Sequence, residues 1–364
     1  MSRVVAIILH AVPESSAGPL ERAFAEDRRR NANRQARGFV ALGATVEIIE
    51  TRRDDPPFGE RLRGLAQDHG LARRREGAGL VVLGSGSIPL AQRRDRAMFV
   101  AAAFGSLASR TTGDPLTLLS NNRFSADIMA IPAGIDIRGL PDLAADNGVP
   151  RWAAEHGIDV RDLRDRWRLQ FDLDSPLDVV LAASAAVRLA TADDRPGSPL
   201  GSVLEQARAV AADPAAEFLI AGRTSSSTLR WVERNTASRT RGLIEERGMK
   251  TALGAQRPPQ SALGLLLDVD GPDALGAIVE KLADAAVMDT RVLMAHHFGR
   301  AEAAWPGAED RFASDLLLPD QIRDPWLRAL TTSAASSRVP ILLGGHTLVG
   351  PGLRLLLRPE RPKP

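Results

Sequence analysis

Short apolar runs alternate with helix-length polar segments through the first half of the chain, and this rhythm restricts it to α/β architectures. Val4 to Leu9 is a continuous apolar run of strand length. A Pro/Ser/Gly loop, Pro13 to Pro19, leads into a helix predicted over Leu20 to Leu42. Gly43 ends that helix, and Ala44 to Ile49 reads as the next strand. A charged helix follows over Gly59 to His69, a third strand over Gly79 to Leu83, and a helix over Arg94 to Leu107. Leu116 to Leu119 and Asp127 to Ile131 are further extended runs. Strand–helix–strand repetition of this kind builds a mostly parallel sheet with helices on both faces.

After Thr191 the composition changes to Ala192-Asp193-Asp194-Arg195-Pro196-Gly197-Ser198-Pro199, which is linker chemistry. The rhythm then restarts. Strands are expected at Phe218 to Ala221, Leu265 to Asp268, Val292 to Ala295 and Ile341 to Leu343, with helices at Thr228 to Asn235, Asp273 to Ala285 and Pro325 to Ser336. A chain of 364 residues suits two cores of ordinary size. The expectation is two α/β domains, residues 1–192 and 200–357, followed by a frayed Pro-rich tail.

Composition narrows the function classes. With no cysteine, disulfides, thiolate metal sites and cysteine nucleophiles are excluded. No apolar run reaches the ~20 residues of a membrane span, and the start of the chain lacks secretion-signal features, so a cytoplasmic location is expected. The net charge is +2, and nearly all the positive charge is arginine, the lysines being Lys250, Lys281 and Lys363. Arg28-Arg29-Arg30 and Arg73-Arg74-Arg75 read as solvated faces. With aromatics at 4% and no tyrosine, base-stacking platforms are scarce, and neither nucleic acid nor a membrane is expected as partner. Homo-oligomerisation is left open.

Phe171-Asp172-Leu173-Asp174-Ser175-Pro176-Leu177-Asp178 places three carboxylates where a strand-like run (Trp167 to Phe171) gives way to a helix-like one (Leu177 to Ala190). Open α/β sheets place ligands at such junctions. Asp172 and Asp174, two apart on a strand end, would project to one face, and Mg²⁺ takes one or two carboxylates plus phosphate oxygens. Capping explains the remainder: Ser175 as N-cap, Pro176 at the first helical position and Asp178 closing a capping-box-like pair.

This segment resembles the D-x-D-T-P-x-D signature of nucleotidyltransferases of the molybdenum-cofactor guanylyltransferase type, and the resemblance covers roughly residues 1–190. It implies a GT-A, Rossmann-like first domain. Val81 to Leu90 stands where that family carries a strand ending in D-x-P-L; here the turn Gly84-Ser85-Gly86-Ser87 replaces the aspartate, and the resemblance implies backbone approach to a nucleotide or sugar. Leu119 to Ile128 matches the acceptor-side strand and loop, implying acceptor contacts from Asn121, Asn122 and Arg123 and a catalytic role for Asp127. Turn chemistry explains the same residues without a ligand. The family's Gly-rich basic loop after the first strand is replaced by His10 to Pro19, with one glycine and an acidic residue, and no lysine occurs in this half. Phosphoryl-type transition states need positive charge, which Arg22 or the arginines from Arg28 to Arg34 would have to supply. The resemblance implies Mg²⁺-dependent transfer of a nucleotidyl group from an NTP to a small phosphorylated or hydroxylated acceptor, with Asp172 and Asp174 on the metal. A non-catalytic nucleotide- or sugar-nucleotide-binding protein remains the alternative.

In the second half, Arg223, Ser225 and Ser226 sit where a strand end opens onto a helix, suited to an anion or to plain capping. His296, His297 and His346, with Asp310 and Asp315, are of the types that bind Zn²⁺ or Mn²⁺. A third reading is therefore metal-assisted hydrolysis in the second domain.

Overall fold

The computed structural model describes residues 4–73, 76–105, 116–183, 199–248 and 257–357. The chain divides into two compact α/β units. One comprises Met1–Ser16 with Ala25–Asp172, and the other Ala17–Phe24 with Leu173–Pro364. The division falls inside the aspartate motif, upstream of the linker-like stretch, whose residues 192–198 lie outside the described residues.

The first unit contains β1 (Val4–Ala11), most of α1 (Pro19–Val40), β2 (Thr45–Thr51), α2 (Phe58–Asp68), β3 (Gly79–Gly84), α3 (Arg93–Phe104), β4 (Thr117–Ser120), β5 (Ile128–Ile131), α4 (Val149–Glu155) and β6 (Asp159–Asp162). Its sheet runs β2-β1-β3-β5-β4-β6, with β5 antiparallel to both neighbours and the other pairings parallel. Only the short loop 121–127 joins β4 to β5, and a parallel return needs a crossover of a dozen or more residues. The continuous apolar character of β1 follows from burial on both faces. Val5 and Ile7 enter one core, while Val4, Ala6 and Ile8 enter the other. The predicted strands and helices of this unit form with small boundary shifts; the end of the α3 expectation, residues 106–107, lies outside the described residues.

The second unit holds the first turns of α1, then α5 (Pro176–Ala183), α6 (Pro199–Ala212), β7 (Glu217–Gly222), α7 (Ser226–Asn235), β8 (Arg239–Ile244), α8 (Ala262–Asp270), α9 (Leu275–Leu282), β9 (Ala285–Asp289), α10 (Thr290–Phe298), α11 (Ala308–Asp315), α12 (Pro325–Ser336), β10 (Ile341–Gly344) and α13 (Leu353–Leu356). Its sheet is wholly parallel in the order β10-β9-β7-β8. The chain leaves β7 towards β8 on one side and β9 towards β10 on the other, so the switch point of this sheet lies between β7 and β9. No helix among the described residues is long and apolar enough to cross a membrane.

Three strand expectations are corrected. Trp167 to Phe171 forms a 3-10 turn, Trp167–Leu169, followed by a bend at Gln170, and pairs with no strand. Leu265 to Asp268 belongs to α8, which Ser261 caps by accepting the Gly264 N–H at 3.2 Å. Val292 to Ala295 belongs to α10, and the strand precedes it at Ala285–Asp289, where a helix end was expected. The last two concern short apolar runs that fit strand and buried helix equally well, while Trp167 to Phe171 alternates apolar and polar residues in the strand pattern yet forms a turn.

Candidate functional site

Both sheets gather their chemistry at the carboxyl ends of the parallel strands, but they do so with different side chains. In the first unit the loop after β1 meets the turn after β3. His10, buried at the end of β1, lies 3.1 Å from the Ser85 hydroxyl, and the Ser85 N–H donates to Leu9 C=O at 2.8 Å. Burial, reinforced by Arg28 and Arg29, lowers the His10 pKa and keeps the ring neutral. From α1, Asn31 donates to the carbonyls of Ser85 and Ser87, and Gln35 to that of Ile88, at 2.8–3.0 Å. These bonds hold Ile88 at φ +46°, a region that a β-branched residue rarely occupies. Ser85, Gly86 and Ser87 are buried and Gly84 half-buried, so the turn predicted to approach a nucleotide is fastened to α1.

The acceptor-side residues are similarly engaged. Asn121 is fully buried; its amide donates to Asp127 at 2.8 Å and to Leu169 C=O at 2.9 Å, and its Oδ1 accepts the Asp127 N–H. Asn122 donates to Gln170 and accepts from the Phe124 N–H, a local turn, while Arg123 donates to Val160 C=O. Asn121 and Asp127 thus staple the β4–β5 connection. Arg22 donates to Ala17 C=O within the second unit.

Beside this closed crevice a cavity of about 610 Å³ opens at the carboxyl ends of β1 and β2, bordered by Val12, Pro13, Glu14, Arg52, Arg53 and Asp54. Arg53 reaches Glu14 at 3.4 Å, with both side chains largely in solvent. Sequence reasoning missed this pair of cations because it sought them after β1 and on α1. The available signal was the adjacent arginines directly after the second strand.

In the second unit the switch point between β7 and β9 is occupied by an ion pair. Arg223, just past β7, contacts both oxygens of Asp289, the last residue of β9, at 2.5 and 3.0 Å. Their side chains are 10% and 0% exposed. Burial opposes the charge on each; Arg223 nevertheless lowers the Asp289 pKa, and Asp289 keeps Arg223 protonated. Gly222, at φ +122°, permits the approach, since a Cβ there would fall 2.4 Å from the Asp289 Cβ. A second buried pair, Arg291 with Asp315, is also bidentate, at 2.5 and 2.7 Å. Burial opposes the Arg291 charge as well, and Asp315 holds it in place.

The aspartate motif is divided between the units, Asp172 closing the first and Asp174 belonging to the second. The Asp178 carboxylate accepts the N–H groups of Asp174 and Ser175 at 3.0 and 2.8 Å, so the capping role holds for it. Burial, then Asp174 and Asp315, raises the Asp178 pKa well above the carboxylate norm. Asp174 faces His346, just after β10, with Nδ1 at 3.4 Å from Oδ2 and both side chains about 40% exposed. This imidazole–carboxylate pair could move a proton at the edge of the sheet.

The other predicted ligands go to separate partners. Ser225 caps α7 by accepting the Thr228 N–H, Ser226 is the exposed first residue of that helix, and Arg223 is taken by Asp289. His296 accepts the Ser261 N–H and lies 2.9 Å from Asp268. His297 stacks on Trp326, with ring centroids 4.6 Å apart. Asp310 accepts the N–H groups of Arg323 and Asp324, and Asp315 binds Arg291. Both histidines sit on a helix, α10, and do not follow the strand expected at Val292 to Ala295. Among the described residues no group of three or more His, Asp or Glu side chains could hold a metal ion.

No family model, curated protein or solved structure matches the chain. Functional assignment therefore rests on the chemistry of these two carboxyl edges.

Proposed function

We propose that the chain is a nucleotidyltransferase-like protein whose first unit binds an NTP at the carboxyl ends of β1 and β2. The observation that carries this reading is the cavity bordered by Arg52 and Arg53. These guanidinium groups would bind the triphosphate, supplying the positive charge that the β1 loop lacks. The acceptor would be a small phosphorylated or hydroxylated molecule, and pyrophosphate would leave.

Mg²⁺ needs only one or two protein carboxylates when phosphate oxygens complete its shell. In the first unit Asp127 is committed to Asn121, and half-buried Asp172 is the hard oxygen donor suited to that ion. Asp172 does not itself border the Arg52–Arg53 cavity; the family resemblance makes it the carboxylate that would hold Mg²⁺, an ion that would neutralise phosphate charge.

The test is NTP binding and pyrophosphate release across the four NTPs with pooled acceptors. Replacing Arg52 and Arg53 together by Glu should weaken NTP binding about a hundredfold, since each removes a charge-assisted contact and reverses its sign. Asp172→Asn should retain binding and lose turnover. Wild-type affinity in the double variant would refute the site. Binding with no pyrophosphate release from any NTP would leave the non-catalytic alternative.

A second reading is favoured by the half-exposed His346–Asp174 pair: acid–base hydrolysis in the second unit, with His346 moving the proton and Asp174 orienting it. Hydrolysis of p-nitrophenyl phosphate that disappears in His346→Asn would select this reading. Equal turnover in the variant would reject it.

A further inference from the structure

The six-stranded sheet has a second opening at its other edge. β2 ends at the carboxyl edge, so α2 runs back and finishes at the amino edge, where Gly70 to Arg73 follow it. β5 runs opposite to its neighbours, so the segment from Pro132 onward also leaves from the amino edge. The two segments meet there, the Gly134 N–H donating to Leu71 C=O at 2.6 Å. Between them lies a cavity of about 470 Å³, within the range of ~300–1,000 Å³ typical of small-molecule sites.

Its floor is apolar: Leu71, Ala66, Ile135 and Ile137 all belong to the core beneath the sheet. Its rim is cationic, with Arg63, Arg73 and Arg138. Two of these are committed. Arg63 binds Leu140 C=O and the Asp142 carboxylate. Arg138 donates to both oxygens of Asp136, at 3.0 Å to Oδ1 and 2.5 Å to Oδ2. The exposed Arg73 guanidinium has no partner among the described residues. Two carbonyls at the end of α2, those of Ala66 and Gln67, accept the N–H groups of Leu71 and Gly70.

We propose that this amino-edge cavity is a second small-molecule site, taking a ligand with an apolar body and one anionic head group, a carboxylate or a phosphate. The body would lie on exposed Ala72 and the aliphatic stem of Arg63 above the buried floor, and the head group would bind the uncommitted guanidinium of Arg73, which suits either anion by its paired donors. The site lies at the opposite edge from the nucleotide cavity and does not depend on that assignment.

Calorimetric titration of the full chain with benzoate, phenyl phosphate, inorganic phosphate and benzyl alcohol tests it. Benzoate or phenyl phosphate should bind, the tighter of the two naming the head group. Inorganic phosphate and benzyl alcohol, each holding half of the recognition, should bind at least about tenfold more weakly. Arg73→Glu and Gln67→Trp, both at exposed rim positions, should each weaken binding about tenfold or more, the first by reversing the charge and the second by filling the space. Unfolding curves matching wild type would show that both variants fold. Wild-type affinity in both variants overturns the proposal, as does inorganic phosphate or benzyl alcohol binding as tightly as the amphipathic anions.

Discussion

The two carboxyl edges solve the same mechanical problem with opposite chemistry. In the first unit the junction of β1 and β3 is closed by uncharged groups: neutral His10 on Ser85, and Asn31 and Gln35 on the backbone of the Gly/Ser turn. In the second unit the junction of β7 and β9 is closed by desolvated charges, Arg223 on Asp289, with Arg291 on Asp315 nearby in sequence. Neutral bonds are individually modest and fail one at a time. A buried ion pair is weak evidence of stability when intact, yet removing one partner strands the other charge in the interior. The second unit should therefore be brittle at its edge and the first tolerant.

Breaking the ion pair gives the largest expected effect. Arg223→Ala or Asp289→Ala should each cost about 3–5 kcal/mol of the second unit's stability in denaturant unfolding. Replacing both members of the other pair, Arg291→Met with Asp315→Leu, should cost much less than either single change. Equal losses in single and double variants would remove the contrast between the units.

Within the first unit the most consequential neutral residue is Asn121, which joins Asp127 to the Leu169 carbonyl. Asn121→Ala should cost about 1–3 kcal/mol, through buried groups left unsatisfied. A loss as large as that of Arg223→Ala would show the two edges to be equally brittle.

A pH series sharpens the comparison from the charge side. Asp178 has a folded pKa well above its ordinary 3.8, so the folded state keeps a proton that the unfolded chain releases. Its contribution is complete below about pH 3.8 and declines as pH rises towards the folded value, by at most about 1.4 kcal/mol per pH unit. Asp178→Asn should abolish this decline while its Oδ1 still accepts the two N–H groups. Asp289, whose pKa is lowered, contributes in the opposite sense: its stabilisation is present above about pH 3.8 and is lost as pH falls through the folded value. Parallel pH profiles for wild type and Asp178→Asn would contradict the assignment.

The smallest effect is expected at Ser85. Ser85→Ala removes only the hydroxyl facing His10 and should cost about 1 kcal/mol. No measurable change would assign the fastening of the turn to Asn31 and Gln35 alone.

Legibility in the sequence follows burial geometry. β1, β3, β7 and β10 are buried on both faces, and their unbroken apolar runs are visible without tertiary information. β8 escaped detection because Arg239, Thr240, Arg241 and Gly242 carry no buried face; it is an edge strand held mainly by backbone pairing to β7. β9 escaped because Ala285, Ala286 and Met288 favour helix in isolation and become strand only between β7 and β10. The site residues divide in the same way. Capping by Asp178 and Ser225 is local and was readable. The pairing of Arg223 with Asp289 spans 66 residues and depends on two strand ends being neighbours.

By itself, then, the sequence determined the α/β class, the positions of the doubly buried strands and the local capping chemistry, because periodicity and side-chain-to-backbone bonds act within a few residues. Tertiary structure alone decided that Asp172 and Asp174 belong to different units, that the Gly/Ser turn faces inward, and that Arg52, Arg53 and Arg73 stand at cavities. Those outcomes depend on strand order and on which charges are desolvated together, and neither is encoded by spacing along the chain.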